Sequence, residues 1–276
     1  MLDEETQKAL IDQGRRFMHG PQGDEYPAFE SDQELKRPQP ALVKPAMSSH
    51  SLALPRNFDD LPGANDSLLQ VMARRRSARV YTRQALSQLQ LSFLLWATQG
   101  IRAIRGKSYA TLRTVPSGGA RHGYETYLLV RQVEGLEAGA YHYLPLTHAL
   151  EFLGPLDDPE KTAAEALDGQ RWAGPANVIF FWAAVPYRFE WRYGIHAHRP
   201  ALMDVGHIAQ NLYLACTALG LGTCAVAAFD QKRCDGLFGL DGTEEFTVYC
   251  APVGTVSEAD KPQEDAFYRF VQEQGL

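Results

Sequence analysis

Cysteine is scarce and unpaired in this chain. Cys216, Cys224, Cys234 and Cys250 form no C-x-x-C, and no histidine pair stands beside them at zinc spacing. Neither a dithiol redox motif nor a metal site is expected, and buried free thiols in a reducing compartment are the simplest reading. Excess positive charge is also missing. Lys and Arg number 27 against 33 Asp and Glu, a net charge of −6 and a pI of about 5.8. That argues against a broad nucleic-acid footprint, although a local arginine cluster could still hold one phosphate. No apolar run reaches membrane-spanning length, and the longest, residues 178–185, suits a buried strand. The acidic opening MLDEETQKAL has no apolar h-region, so it is not read as a signal peptide. The expectation is a cytoplasmic protein with no membrane partner and no nucleic-acid partner. There is no P-loop and no G-x-S-x-G. The Gly118-Gly119-Ala120-Arg121-His122-Gly123 run lacks the preceding strand and following helix of a dinucleotide fingerprint.

What is present is ordinary core material, 45% hydrophobic and 22% charged over 276 residues. It suffices for one large domain with an extension. Residues 1–20 can form a short helix with Leu10, Ile11 and Phe17 as contacts. From residue 20 to 62 the chain is broken by Pro21, Pro27, Pro38, Pro40, Pro45, Pro55 and Pro62. Tyr26, Phe29, Leu42, Val43, Leu52 and Leu54 make this stretch more apolar than a linker. It reads as an extended arm that packs on a body or a partner subunit. The organisation is then an N-terminal extension over 1–63 and a domain over 64–276.

Regular structure is expected from Asn65-Asp66, as caps of a helix with Leu68, Leu69, Val71 and Met72 on its apolar face. Ser87 and Gln90 form a capping box for the next helix, which Gly100 ends. A basic link over 102–107 leads to a loop and a strand over 124–131. Two short strands around Pro145 form a ribbon on which His142 and His148 alternate outward. A helix over 157–167, a buried strand over 176–185 and an aromatic, basic stretch over 187–199 follow. A long helix runs from Pro200 to Leu219, then an extended segment over 223–229, a short helix capped by Asp230, a strand over 246–253 and a terminal helix over 264–274. This order implies an α+β layout, a central mixed sheet flanked by helices.

Three stretches carry candidate chemistry. Arg75, Arg76, Ser77 and Arg79 place guanidinium forks beside a hydroxyl, a donor set suited to phosphate oxygens, although a bare charge run is ordinarily a solvated face. The loop over 113–123 combines Pro116 and Ser117 with Gly118-Gly119, so its backbone can press N–H and C=O groups against a flat polar ligand, or it can be only a turn. Tyr193, His196 and His198 lie in the aromatic stretch, which either lines a pocket or packs as a surface loop.

Together these segments resemble the FMN-dependent nitroreductase superfamily. The matching motifs are Arg75-Arg76-Ser77-Ala78-Arg79-Val80-Tyr81, Pro116-Ser117-Gly118-Gly119, and Asp204-Val205-Gly206-His207-Ile208-Ala209-Gln210-Asn211-Leu212 running on to Phe229-Asp230, closed by Ala251-Pro252-Val253-Gly254. RTVPSGGARH and DVGHIAQNLYLACTALGLGTCAVAAFD look closest to the SagB-type, azoline-oxidase-like branch. The resemblance implies a nitroreductase-like three-layer α+β fold and a homodimer with two FMN sites at its interface. Arg75, Arg76, Ser77 and Arg79 would hold the phosphate, with Lys261 adding a charge. Pro116, Ser117 and Gly118 would approach the isoalloxazine ring, and the backbone at Ala227-Ala228 would face its N5 edge. The activity implied is ping-pong transfer from NAD(P)H to a small acceptor such as a nitro compound or quinone. Two alternatives are azoline-ring oxidation in a modified peptide, with Tyr193, His196 or His198 taking the proton, and a degenerate flavin-fold protein that only binds. Two departures stand out. Many nitroreductases have Asn at Ala120 and Pro-Trp at Gly123-Tyr124, so the ring edge would be held differently here, with Arg121 as the substitute.

Overall fold

The computed structural model describes residues 2–19 and 29–260, and beyond them only 262, 263, 265, 266, 269 and 273. Lys261, most of the expected terminal helix and the stretch 20–28 lie outside the described residues.

From residue 29 the described part of the arm makes a turn over 32–36 and then contributes β1 (Ser51–Ala53), after the N-terminal helix α1 (Glu4–His19). Helix α2 (Leu68–Arg74) starts one residue later than read: Ser67, not Asn65 or Asp66, is the N-cap, and its side chain accepts from the Gln70 N–H. Only Val71 of that helix is buried; Leu68, Leu69 and Met72 are 61%, 80% and 56% exposed, so its expected apolar face points out of the chain. In α3 (Gln88–Gln99) the capping box forms as written, with Gln90 N–H donating to Ser87 Oγ at 3.1 Å and Ser87 N–H to Gln90 Oε1 at 2.9 Å. The basic link is not a link. It is β2 (Ile101–Arg105), which folds back on β3 (Ala110–Arg113) as a separate hairpin.

The main sheet follows with β4 (Tyr124–Val130), β5 (Gly139–Leu144), β6 (Ala149–Pro155), β7 (Val178–Ala184), β8 (Leu221–Thr223) and β9 (Phe246–Thr255), in the order β1-β6-β5-β4-β7-β9-β8. Every pairing between these strands is antiparallel, which corrects the mixed sheet inferred from element order. The chain forms the β4–β5–β6 meander and then crosses the sheet from β6 to β7 and from β7 to β8 through helices, without parallel βαβ units. The α+β assignment with a helix layer on each face stands. On one face Leu128, Val130, Phe180 and Trp182 meet α3 and α6 (His198–Ala218). On the other, Tyr127, Leu129, Ile179 and Phe181 meet α4 (Pro159–Ala166) and α7 (Gln231–Phe238). Central β7 is buried at every position because both its faces are covered, and this is why its sequence is an unbroken apolar run.

Two further expectations change. The stretch 187–199 opens as helix α5 (Pro186–Tyr193), started by a proline at its first turn, not as a loop. His142 and His148 are 0% and 1% exposed, so they do not alternate outward. His142 sits between two carboxylates, Nδ1 at 3.1 Å from Glu151 and Nε2 at 3.3 Å from Glu125, while Arg188 lies 2.6 Å from Glu125. The arm covers this buried cluster. Lys44 N–H donates to Glu125 at 2.7 Å, its ammonium pairs with Glu245 at 2.5 Å, and Ser48 N–H donates to Glu151. Burial alone would raise the Glu125 carboxyl, but Arg188, His142 and Arg113 outweigh it and hold the carboxyl far below its ordinary value. Breaking such a buried pair costs about 3–5 kcal/mol, because an uncompensated charge is left behind. The arm's backbone N–H groups at Lys44 and Ser48 thus satisfy two of the body's buried carboxylates.

Candidate functional site

Arg75 is the residue at which α2 stops. Its ψ of 126° turns the chain from helix to extended backbone, so successive side chains diverge. The Arg75 guanidinium lies 5.3 Å from the centre of the Tyr213 ring, and the Ser77 hydroxyl is 3.1 Å from the Tyr213 hydroxyl. Arg76 opens instead onto a cleft of about 330 Å³, together with Arg74, Thr217, Gly220, Val256 and Ser257. Arg79 stacks over Trp172 at 5.7 Å. Of the four residues read as one donor set, Arg75 and Ser77 share Tyr213, Arg76 lines the cleft and Arg79 meets Trp172. A backbone hydrogen bond from Ala78 N–H to Thr223 O, 2.9 Å, clamps the segment onto β8.

Tyr213, on α6, is a residue of the candidate site that no sequence motif singles out. Its hydroxyl also accepts from the Ala225 N–H at 2.9 Å. One phenol thus ties the arginine segment to the strand exit that leads to Ala227 and Ala228. That exit is held by a reciprocal bridge between Val226 and Cys250. Ala227 and Ala228 are exposed beyond it, and the Ala228 carbonyl accepts from Gln170 at 2.8 Å. Nothing local in the sequence marks Tyr213, whose hydroxyl partners lie 136 and 12 residues away.

The glycine loop is a single tight turn over 118–120. Gly119 at φ 57° needs its missing Cβ twice over: the conformation is left-handed, and a Cβ there would stand 2.5 Å from the Arg192 side chain and 2.7 Å from the Tyr193 hydroxyl. Ala120 and His122 also adopt positive φ, 54° and 46°, a costly conformation for residues with a Cβ. The turn is anchored by Asp204, whose two carboxylate oxygens each lie 3.2 Å from the Gly118 N. Burial raises the Asp204 carboxyl above its ordinary value, with the hydrogen bonds from Ser117 and Gly118 and the charge of His207 opposing. The sequence carries a signal for Asp204 beyond its motif: an acid amid Ala201, Val205 and Ile208 on the inward face of a helix. Ser117 Oγ also accepts from the His122 N–H at 2.9 Å. The His122 imidazole is pushed down to about 3, by burial first and then by Arg113 and Arg121, so it is neutral near pH 7.

Arg121 does not reach outward. It is 4% exposed, sandwiched between Tyr109 and Trp191 at 5.0 and 5.3 Å, and its fork donates to Gly119 O and Tyr109 O at 3.0 and 3.1 Å. Its donors brace the loop from behind rather than extending to a ring edge. Among the three proton-transfer candidates, Tyr193 packs directly on Gly118 and Gly119. His196 meets Phe29 of the arm edge-on at 5.1 Å, and His198 bonds Glu190 at 2.8 Å on the exposed side of α5. The structure thus places one of the three at the loop and two elsewhere. All four cysteines are buried and free.

A description of the nitroreductase family matches residues 72–255. The chain belongs to the nitroreductase family, and the fold and the ordered segments above are those of an oxidoreductase of that family. A candidate nitroreductase of Methanocaldococcus jannaschii, MJ1384, is 35% identical over 195 residues, which is 70% of this chain and 94% of that protein. The Microcin B17-processing protein McbC of Escherichia coli is 29% identical over 133 residues, 47% of this chain and 49% of its own length. Among solved structures, a candidate nitroreductase of Ralstonia eutropha JMP134 shares the fold with a TM-score of 0.62 at 23% identity, covering 80% of this chain and 98% of that one. Among the described residues no helix is long and apolar enough to cross a membrane.

Proposed function

We propose that this chain is an FMN-dependent oxidoreductase, a homodimer that moves electrons from NAD(P)H to a small organic acceptor such as a nitro compound or quinone. The observation that carries the reading is the convergence on Tyr213 of the Arg75–Ser77 donors and the strand exit before Ala227, within a chain of the nitroreductase family. The donor set fits the group. Guanidinium forks beside a hydroxyl are what a phosphate monoester needs. A backbone exit with exposed small residues leaves room for a flat ring.

In this reading Arg75 and Ser77 hold the phosphate by charge-assisted hydrogen bonds, and Arg76, Arg79 and Lys261 add field. Pro116, Ser117 and Gly118 approach the ring, and the Ala227-Ala228 backbone lines its reactive edge. When bound, FMN supplies the hydride and electron transfer, so the protein's work is orientation and electrostatics. Asp204, holding the Gly118 N–H, and Arg121, holding Gly119 O, keep the loop in one shape. An acceptor that also exchanges a proton is served by Tyr193, whose hydroxyl lies at the Gly119 turn.

A second reading is favoured by the similarity to the Microcin B17-processing protein: oxidation of an azoline ring in a modified peptide. That reaction would pass a hydride, two electrons with one ring hydrogen, to the flavin and a second ring hydrogen as a proton to a base, for which Tyr193 is the proposed residue.

The first test is colour. Purified protein with no flavin absorbance, and none after FMN is added, refutes both readings and favours a binding protein on a flavin fold. Anaerobic NADPH should then bleach bound flavin rapidly; failure with either nicotinamide points to the peptide-ring reading. Arg75→Ala and Ser77→Ala should weaken FMN retention more than Arg76→Ala, because the first two share Tyr213.

A further inference from the structure

The arm does more than cover the body, because part of it is wired to the glycine loop. Residues 31–36 form a turn closed by Ser31 and Glu34, with Ser31 N–H donating to Glu34 at 2.7 Å. The turn lies along α5, where Gln33 N–H donates to Trp191 O at 2.8 Å. The Gln33 side chain then reaches inward. Its Oε1 accepts from Arg192 Nη1 at 3.0 Å, and its Nε2 donates to the Tyr109 hydroxyl, also at 3.0 Å. Arg192 Nη1 donates to the same hydroxyl at 2.8 Å, closing a three-membered ring of hydrogen bonds among the arm, the β2–β3 hairpin and α5. Burial raises the Tyr109 phenol, but the Gln33 hydrogen bond and the charges of Arg192 and Arg121 outweigh it and hold it below its ordinary value.

What this ring holds is the loop. The Arg192 stem fills the space that a Gly119 Cβ would occupy, 2.5 Å from that position, and its guanidinium lies 5.7 Å from the Tyr193 ring. Tyr109 is in turn one wall of the cage around Arg121, the side chain that donates to Gly119 O. If Arg192 swings away, Gly119 loses its packing partner and Tyr193 its neighbour.

We propose that Gln33, Tyr109 and Arg192 are positioning residues through which the arm sets the Ser117–Gly119 loop and Tyr193 in their working geometry. The role of the loop rests on the flavin reading above; the coupling of arm to loop does not. The family match begins at residue 72, so Gln33, the arm's part of the device, lies outside it, while Tyr109 and Arg192 lie within.

The test uses the full chain. Gln33→Ala removes both side-chain hydrogen bonds, whereas Gln33→Glu keeps an acceptor for Arg192 and can take the Tyr109 O–H. Hydrogen exchange is measured on the peptide spanning 116–122 in flavin-free protein, and kcat and KM on flavin-loaded protein. Gln33→Ala should speed exchange in that peptide about tenfold and lower kcat about tenfold with KM for the electron donor little changed. Gln33→Glu should bring both back to within about threefold of the parent. Should Gln33→Ala fail to fold, Tyr109→Phe, which leaves the Gln33–Arg192 bond in place, should give the same changes at smaller size. Unaltered exchange and unaltered kcat in Gln33→Ala overturn the proposal. So does a Gln33→Glu variant as impaired as Gln33→Ala. A parent protein that never binds FMN, yet whose loop exchange still depends on Gln33, sinks the flavin reading and supports the coupling.

Discussion

Replacing Tyr213 by Phe removes one oxygen atom and keeps the ring that Arg75 stacks on. In the folded chain that oxygen accepts the Ala225 N–H at 2.9 Å and meets the Ser77 hydroxyl at 3.1 Å. The half-buried Ala225 N–H is left without this acceptor, which costs about 1–3 kcal/mol. For a chain of this size about 1 kcal/mol moves Tm by roughly 2–4 °C, so a fall of roughly 2–12 °C is expected. The loss should also appear in binding. Without the phenol, Ser77 and the strand exit are no longer tied to each other, and FMN affinity, read by quenching of flavin fluorescence, should weaken about tenfold, the equivalent of one such bond. The two readouts separate the roles: a lower Tm with unchanged FMN affinity would mean that Tyr213 only supports the fold. Unchanged Tm and unchanged affinity together would refute the claim that this hydroxyl joins the two halves of the site.

Ala120→Gly relieves a left-handed residue at φ 54° and should raise Tm by roughly 2–4 °C, the equivalent of about 1 kcal/mol; a lower Tm would show that the Ala120 methyl makes a contact worth more than its strain. Gly123→Ala puts a Cβ 2.2 Å from a Phe189 ring carbon, and thermal or urea unfolding should show a loss of about 1–3 kcal/mol; a neutral result would mean that α5 shifts freely. Stability should fall with acid in a definite window. Burial, with nearby arginines, depresses His122 to about 3 and His148 to about 4 from 6.5, so the unfolded chain takes up these protons before the folded one does. Their contribution is complete above pH 6.5 and declines as pH drops toward 4, by about 1.4 kcal/mol per unit for each histidine, and Glu125 adds to the loss below its ordinary value of 4.5. Urea midpoints at pH 7.5 and 5 check this, and His148→Asn should flatten the slope by one proton; a pH-independent midpoint would count against both histidines being buried neutral. Finally, burial raises the Cys234 thiol to about 12 and the Cys216 thiol beyond that, so native protein should resist alkylation at pH 7.5 and react only on unfolding; fast modification of the folded chain would contradict the packing of α6 and α7.

Several features of the chain were legible because they depend on neighbours in sequence. The Ser87–Gln90 capping box, the Asp230 cap and the unbroken apolar run of β7 all appear where local rules place them. The family, too, followed from ordered short motifs. Errors arose where local text fits two structures. A basic hexapeptide gives no sign of a hairpin partner five to twelve residues on, so the sequence does not mark β2. Alternation around Pro145 gives two faces without saying that both are covered, so His142 and His148 were read outward. Helix α5 hid behind a density of aromatic and basic residues, which its Pro186 start could have betrayed.

By itself, then, the sequence determined most of the element types, the α+β class and the chemical character of the arginine segment and the glycine loop, because caps, periodicity and donor chemistry are written within a few residues of one another. Only the tertiary structure decided which of those donors meet. Arg75 and Ser77 converge on Tyr213 while Arg76 turns away, Asp204 takes the Gly118 N–H, and Gln33 closes on Tyr109 and Arg192. Each of those contacts joins residues far apart in the chain, and it exists only once burial and sheet order have brought the elements together.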